Sequence, residues 1–158
     1  MTSKNNNSVI FTTQLASDVN ALLQGVSSEQ LFILTDQSTR KHCLPLLQTG
    51  GLFDSAQVYT MPNGDHYKTI ETVVDIWTFL GERGATRHSV LINVGGGVVT
   101  DLGGFVANTF KRGIRFINIP TTLLSMVDAA VGGKTGINFN GLKNEIGVIN
   151  PAQAVVIC

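Results

Sequence analysis

The sequence predicts an α/β fold: a doubly wound, mostly parallel sheet with helices on both faces. Two observations carry this prediction. Short apolar runs alternate with longer stretches whose apolar residues recur every three or four positions, almost to the end of the chain. Strands separated by helices pair in parallel through right-handed crossovers. The residues suggestive of ligand chemistry also fall at the carboxyl ends of the predicted strands, where open α/β sheets hold their ligands.

Taken in order, residues 9–12 read as a first strand and residues 15–24 as a helix closed by Gly25. Residues 31–35 form a short buried strand with Asp36 at its tip, followed by a helix over 38–47 that Gly50 and Gly51 stop. Residues 57–60 are a strand. Ile70, Val73, Val74, Trp77 and Leu80 mark the strongest helix, ended by Gly81 and Gly84. A strand over 89–94 delivers three consecutive glycines, Gly95, Gly96 and Gly97, and a helix over 98–110 and a strand over 114–119 continue the alternation. Pro120 stops that strand, and Thr121 or Thr122 caps a helix running to about Val131. Residues 134–150, rich in Gly and Asn, read as loop with a short ribbon, and residues 152–157 as one more strand. The whole is Rossmann-like.

The glycine triplet is the feature richest in chemistry. A backbone without Cβ atoms turns sharply and approaches a ligand closely. The free N–H groups of the helix that follows favour an anion. The triplet is not the G-x-G-x-x-G fingerprint, because Thr100 stands where the last glycine belongs. Asp101 suits either the helix dipole or a ribose, amide or substrate hydroxyl. Gly132-Gly133-Lys134-Thr135 imitates the end of a Walker A loop, but Asp128 occupies the position of its first glycine and a helix precedes it, so a P-loop nucleotidase is excluded.

Composition narrows the class. With 158 residues, 43% hydrophobic and 14% charged, the chain is long enough for one domain with a proper core. Eleven basic and eleven acidic residues cancel, so no global field draws it to nucleic acid or membrane, and any anion site is local. No apolar run approaches the roughly 20 residues of a membrane span. Met1-Thr-Ser-Lys-Asn-Asn-Asn-Ser lacks the apolar core of a signal peptide, and Cys43 and Cys158 fit no metal or disulfide pattern; the expectation is a soluble cytoplasmic protein. His42, His66 and His88 share no helix face or ligand spacing, so no metal site is assigned within the chain. Lys111-Arg112-Gly113-Ile114-Arg115 taken alone is a solvated turn, whereas Lys134, Lys143 and Asn144 on a loop at the strand tips suit an anionic ligand.

Together these residues resemble a known family. Gly95 to Phe105, Lys111 to Asp128 with its Pro120-Thr121-Thr122, Val131-Gly-Gly-Lys-Thr-Gly136 and Lys143-Asn144 closely resemble the 3-dehydroquinate synthases. The likeness is continuous from about Leu91 to Pro151, with a weaker echo in Asn63-Gly-Asp-His-Tyr-Lys68 and Thr35-Asp36. The glycine triplet is shared with glycerol dehydrogenases and iron-type alcohol dehydrogenases; the Pro-Thr-Thr to Gly-Gly-Lys-Thr block points to the sugar-phosphate cyclases.

The resemblance implies an NAD-dependent carbon–oxygen lyase of the shikimate pathway, on the route to chorismate and the aromatic amino acids. Its substrate would be the sugar phosphate 3-deoxy-D-arabino-heptulosonate 7-phosphate, its products 3-dehydroquinate and phosphate. In this family NAD oxidises a ring hydroxyl, the neighbouring C–H becomes acidic, phosphate is eliminated, the hydride returns, and an intramolecular aldol closes the carbocycle. A divalent metal, zinc or cobalt, polarises the hydroxyl. Carried over by position, Gly96, Gly97 and Asp101 hold the pyrophosphate and nicotinamide side of NAD, Thr121 and Thr122 bond along it, Asp36, Asp65 and Lys68 face its adenosine end, and Lys143 lies beside it. Asp128 and Lys134 face the substrate as the catalytic groups, together with Asn144. Arg112 joins Lys134 on the substrate phosphate across the interface of a homodimer.

Three departures stand out. Asp65 replaces the usual glutamate, Thr100 a usual glycine, and Asn138-Phe-Asn-Gly141 a common His-Pro-Leu-Gly. The family's chain is about twice as long, and a second, helical domain supplies the glutamate and two histidines that bind the metal. Residues 1–158 thus correspond to the NAD-binding domain, with the metal-binding domain outside the chain and the fragment catalytically silent alone. The alternatives are another sugar-phosphate cyclase, a glycerol-dehydrogenase-like NAD enzyme, or a stand-alone nucleotide-binding regulatory module.

Overall fold

The computed structural model of the protein describes residues 8–49 and 51–158. Its strands are β1 (Ser8–Phe11), β2 (Leu31–Asp36), β3 (Gln57–Met61), β4 (Val90–Gly95), β5 (Arg115–Pro120), β6 (Lys134–Phe139), β7 (Leu142–Ile149) and β8 (Ala154–Ile157). Six of them form one parallel sheet in the order β1-β8-β5-β4-β2-β3; β6 and β7 pair antiparallel as a separate ribbon. The helices are α1 (Leu15–Leu22), α2 (Gln37–His42), α3 (Leu44–Leu47), α4 (Ile70–Glu82) and α5 (Gly97–Thr109). The expected doubly wound architecture is therefore present.

Both sheet faces are buried, which explains why the strands read as continuous apolar runs. Side chains alternate between two cores. Phe32, Leu34 and Leu91 pack with Val73, Ile76 and Leu80 of α4 and Leu102 and Val106 of α5. Leu31, Ile33, Val90 and Ile92 pack with Val19 of α1 and Leu44 and Leu47 of α3 on the other side. Each fully buried Leu or Ile contributes about 2 kcal/mol through the water it leaves. Helix α5 lies close enough to β4 that a Cβ at Gly103 would stand 2.0 Å from Asn93 Oδ1. Asn93 and Asn118 face each other in register, and Asn93 Nδ2 donates to Asn118 Oδ1 at 2.9 Å.

Three elements differ from the sequence expectation. The helix expected over 38–47 is two, because Pro45 lacks the N–H that would continue α2; it sits instead in the first turn of α3. The helix expected over 121–131 is present over 123–129, with Thr122 at its start, but its second part, Ser125–Ala129, is widened: the Ala130 N–H reaches back five residues to the Ser125 carbonyl. Residues 134–150, expected mostly as loop, are the β6–β7 hairpin. Its two-residue tip, Asn140 (φ 52) and Gly141 (φ 75), has the positive φ at both positions that tight hairpins favour.

Candidate functional site: a glycine corner and a lysine–aspartate cluster

The chain winds outward from β2 to β3, then returns to place β4 on the other side of β2 and continues to β5. The carboxyl ends of β2 and β4 thus flank the switch point of the sheet, where such folds open a crevice. Asp36 ends β2 and Gly95 ends β4. A cavity of about 390 Å³ lies here, lined among others by Asp36, Thr39, Gly64, Gly96, Gly97 and Thr122.

The corner is built from backbone. Helix α5 starts at Gly97, and its N-cap, Gly96, has no side chain to satisfy the first N–H groups. The neighbouring helices are capped by their own residues: Thr39 N–H donates to Asp36 Oδ1 at 2.7 Å in α2, and Thr72 N–H to Thr69 Oγ1 at 3.5 Å in α4. The α5 terminus therefore keeps donors and the positive end of its dipole for something outside the helix. Space is tight: a Cβ at Gly95 would lie 2.5 Å from Val99 Cβ, and one at Gly96 would lie 3.2 Å from Thr122 Cγ2. Thr122 is itself fixed, since Thr122 Oγ1 accepts from the Ser125 N–H at 3.3 Å while Ser125 Oγ donates to the Thr122 carbonyl at 2.9 Å. Thr121 N–H donates to the Gly95 carbonyl at 3.0 Å. Thr100 does not obstruct the corner; it is 1% exposed and its hydroxyl lies 3.3 Å from the Gly96 and Gly97 carbonyls behind it.

A second cavity of about 460 Å³ is lined by Asp101, Asp128, Lys134 and Asn144, with Gly132 and Ile149 among its walls. Asp101 is on the second turn of α5, Asp128 on the wide turn, Lys134 opens β6 and Asn144 sits in β7. Lys68, only 4% exposed, joins the group from the segment before α4. Its Nζ lies 2.7 Å from Asp101 Oδ2 and also donates to Asn144 Oδ1. Burial pushes the Asp101 carboxyl above the ordinary aspartate value; the Lys68 ammonium pulls it back, and Asp128 and Asp65 add repulsion. Asp65 accepts from Asn138 Nδ2 at 3.1 Å and lies 3.5 Å from the Lys143 ammonium, whose side chain is 77% exposed.

The structure thus gathers Asp101, Asp128, Lys134 and Asn144 in one cavity and places Gly96, Gly97 and Thr122 with Asp36 in the other, with Thr121 among its walls. Asp36 lines the corner, whereas Lys68 bonds Asp101 and Asp65 bonds Asn138 of the hairpin. Arg112 is exposed, in a turn before β5 at the amino-terminal end of the sheet, and lines neither cavity. Lys111 and Arg112 both have positive φ there (47 and 69). Nothing in the sequence marks Asn138 as a site residue, yet its side chain bonds both Asp65 and Asn144. A larger hollow, about 520 Å³, opens at the amino-terminal end of β5, with Arg87 and Arg115 on its walls, away from the switch point. Among the described residues, no three His, Cys, Asp or Glu side chains gather to hold a metal ion, and no helix is long and apolar enough to cross a membrane.

Sheet order and corner define the class: a Rossmann-like α/β domain with an anion-seeking helix terminus at its switch point. The particular family follows from comparison. The profile described as 3-dehydroquinate synthase N-terminal matches residues 58–158, and the chain belongs to that family. It is 50% identical over 149 residues to the 3-dehydroquinate synthase of Parabacteroides distasonis, covering 94% of this chain and 42% of that one. It is 45% identical over 137 residues to that of Pyrococcus furiosus, covering 87% and 41%. The chain thus spans less than half the length of these relatives. Among solved structures, a 2-epi-5-epi-valiolone synthase from Streptomyces hygroscopicus subsp. jinggangensis 5008, with NAD+ and Zn2+ bound, is 25% identical with a TM-score of 0.83, covering 99% of this chain and 44% of that one.

Proposed function

We propose that this chain is the N-terminal, NAD-binding domain of a 3-dehydroquinate synthase, an enzyme that converts 3-deoxy-D-arabino-heptulosonate 7-phosphate into 3-dehydroquinate and phosphate. One observation carries the reading: the uncapped amino terminus of α5 at the switch point, where a Cβ at residue 96 would crowd Thr122. Donors, dipole and space fit a pyrophosphate. The family membership and the valiolone synthase solved with NAD+ support the choice of NAD.

Bound in this corner, NAD would supply a reversible hydride acceptor for one ring hydroxyl. The chain's residues bind and orient. N–H groups of the α5 first turn would hold the pyrophosphate, with Thr121, Thr122 and Asp36 in the same corner as its further partners. Asp101, held by Lys68, accepts hydrogen bonds at the nicotinamide side, and Asp65 and Lys143 stand beside the same segment. Lys134, Asp128 and Asn144 face the substrate: an ammonium for its phosphate, a carboxylate and an amide for its hydroxyls. Arg112, exposed at the other end of the sheet, would serve the partner's substrate in a homodimer of the longer protein.

The described residues do not fit the family's metal, so no step is assigned to it here. The metal and the other wall of the cleft come from a second domain. Leu123, Leu124 and Val127, 76%, 70% and 68% exposed beside the substrate cavity, form the apolar surface on which that domain packs. The purified 158-residue chain is therefore expected to form no dehydroquinate. The longer protein containing it is expected to release dehydroquinate and phosphate without accumulating NADH. Dehydroquinate from the short chain would overturn the two-domain reading, and net NADH from the long one would favour a dehydrogenase.

A further inference from the structure

We infer that Asn138 is a positioning residue: it fastens the β6–β7 hairpin to the Asp65–Lys68 segment and thereby sets Asn144 on Lys68 beside Asp101. The inference deepens the proposed function, since it takes the Asp101 cavity to be a ligand site.

The ribbon breaks its own pairing to do this. Ile137 pairs with Ile146 and Phe139 with Leu142, so Asn138 stands opposite three residues of β7, including Asn144. Such an irregularity frees a residue from the ladder and re-aims side chains. The Asn138 N–H turns outward and donates to the Lys68 carbonyl at 2.8 Å. The Asn138 Nδ2 donates to both the carbonyl and the carboxylate of Asp65, at 3.2 and 3.1 Å. The Asn138 Oδ1 accepts the Asn144 N–H at 3.0 Å. That last bond matters because Asn144 has φ 53, a left-handed conformation uncommon outside glycine though more open to asparagine than to most residues, and the bond from Asn138 holds its N–H there. In that conformation Asn144 Oδ1 receives the Lys68 ammonium, which also binds Asp101. Asn138 itself does not line the cavity of Asp101, Asp128 and Lys134. It therefore acts through Asn144.

The test is proton exchange of the Lys68 ammonium by nitrogen-15 NMR in the ligand-free chain, with β4 amides as the control for folding. In the wild type the Lys68 ammonium, buried and bonded to Asp101 and Asn144, is expected to exchange slowly. Asn138→Ala should speed it about tenfold while β4 stays protected, as expected for loss of one acceptor to a charged donor. Asn144→Gly, which tolerates φ 53 but lacks the acceptor, should do the same; it also serves should Asn138→Ala fail to fold. In the Asn144→Gly background Asn138→Ala should add nothing, because the two act in series. A Lys68 ammonium that exchanges as fast as the exposed Lys143 in the wild type overturns the inference. So does an unchanged rate in Asn144→Gly, or an additive effect in the double variant. Calorimetric titration with NAD on the same samples separates the two readings: exchange that behaves as stated in a chain that binds no NAD supports the positioning role and removes the cofactor.

Discussion

The glycine corner and the Lys68–Asp101 cluster lie at the same end of the sheet but are made from different materials. The corner is backbone: N–H groups at the start of α5, glycines that admit close approach, and a strand order that opens the crevice. Its parts are near neighbours in sequence or are fixed by strand pairing. The cluster is side chains, drawn from positions 65, 68, 101, 138 and 144 on three separate segments. A backbone site is specified once the fold is; a side-chain site needs its partners placed one by one. The corner should therefore fail only when space or helix start is altered, and the cluster whenever any member is lost.

The largest effect is expected from Gly95→Ala. Its Cβ would meet Val99 Cβ and Cγ2 at 2.5 Å, and Val99 is anchored in the first turn of α5. The helix start must move, at a cost of about 3 kcal/mol. Urea unfolding with a midpoint equal to wild type would show that the corner is not as close-packed as described. Next comes Lys68→Met, which leaves the Asp101 carboxylate largely desolvated without its cation and costs about 1–3 kcal/mol at neutral pH. The sign with pH follows from the raised carboxyl. Burial already favours the protonated form in the folded state, and removing Lys68 raises the value further. The deficit of the variant should therefore shrink as pH falls through the raised value, because a neutral Asp101 needs no partner. Carbon-13 titration of the Asp101 carboxyl checks this; a midpoint at or below that of the wild type would contradict the pairing.

Smaller effects sharpen the contrast. Thr122→Ala removes the hydroxyl that accepts the Ser125 N–H and should lower stability by about 1 kcal/mol, read as a fall in melting temperature. An unchanged melting temperature would mean the wide turn is held by the Ala130–Asn118 contact instead. Lys143→Met is expected to change stability by less than about 0.5 kcal/mol, since its pair with Asp65 is exposed and screened. A larger loss in urea unfolding would place Lys143 among the structural members of the cluster.

The same division decided what the sequence disclosed. Hydrophobic periodicity marks the strands and the long helices, and parallel pairing follows from their alternation, so the glycines and Asp36 fall at strand tips on the sequence alone. The wide turn at Ser125 was not legible, because one extra residue in a helical turn leaves apolar spacing almost unchanged. Asn140-Gly141 carries a signal for a tight hairpin, masked by the Gly and Asn content around it. The grouping of Lys68 with Asp101 and Asn144 rather than with Asp36 depends on contacts across 33 and 76 residues, which no local pattern encodes. Asn138 shows the limit most clearly: its chemistry is ordinary, and only the break in strand register gives it one hydrogen bond across the ribbon and three to the Asp65–Lys68 segment.

The central claim is that the α5 terminus is the seat of a dinucleotide pyrophosphate. Titration of the nitrogen-15-labelled chain with NAD tests it directly. The account predicts saturable shifts of the Gly96, Gly97 and Thr122 amides, with one NAD per chain. A folded chain whose corner amides stay still at millimolar NAD, or whose shifts gather instead around Arg87 and Arg115 at the opposite end of the sheet, would contradict it.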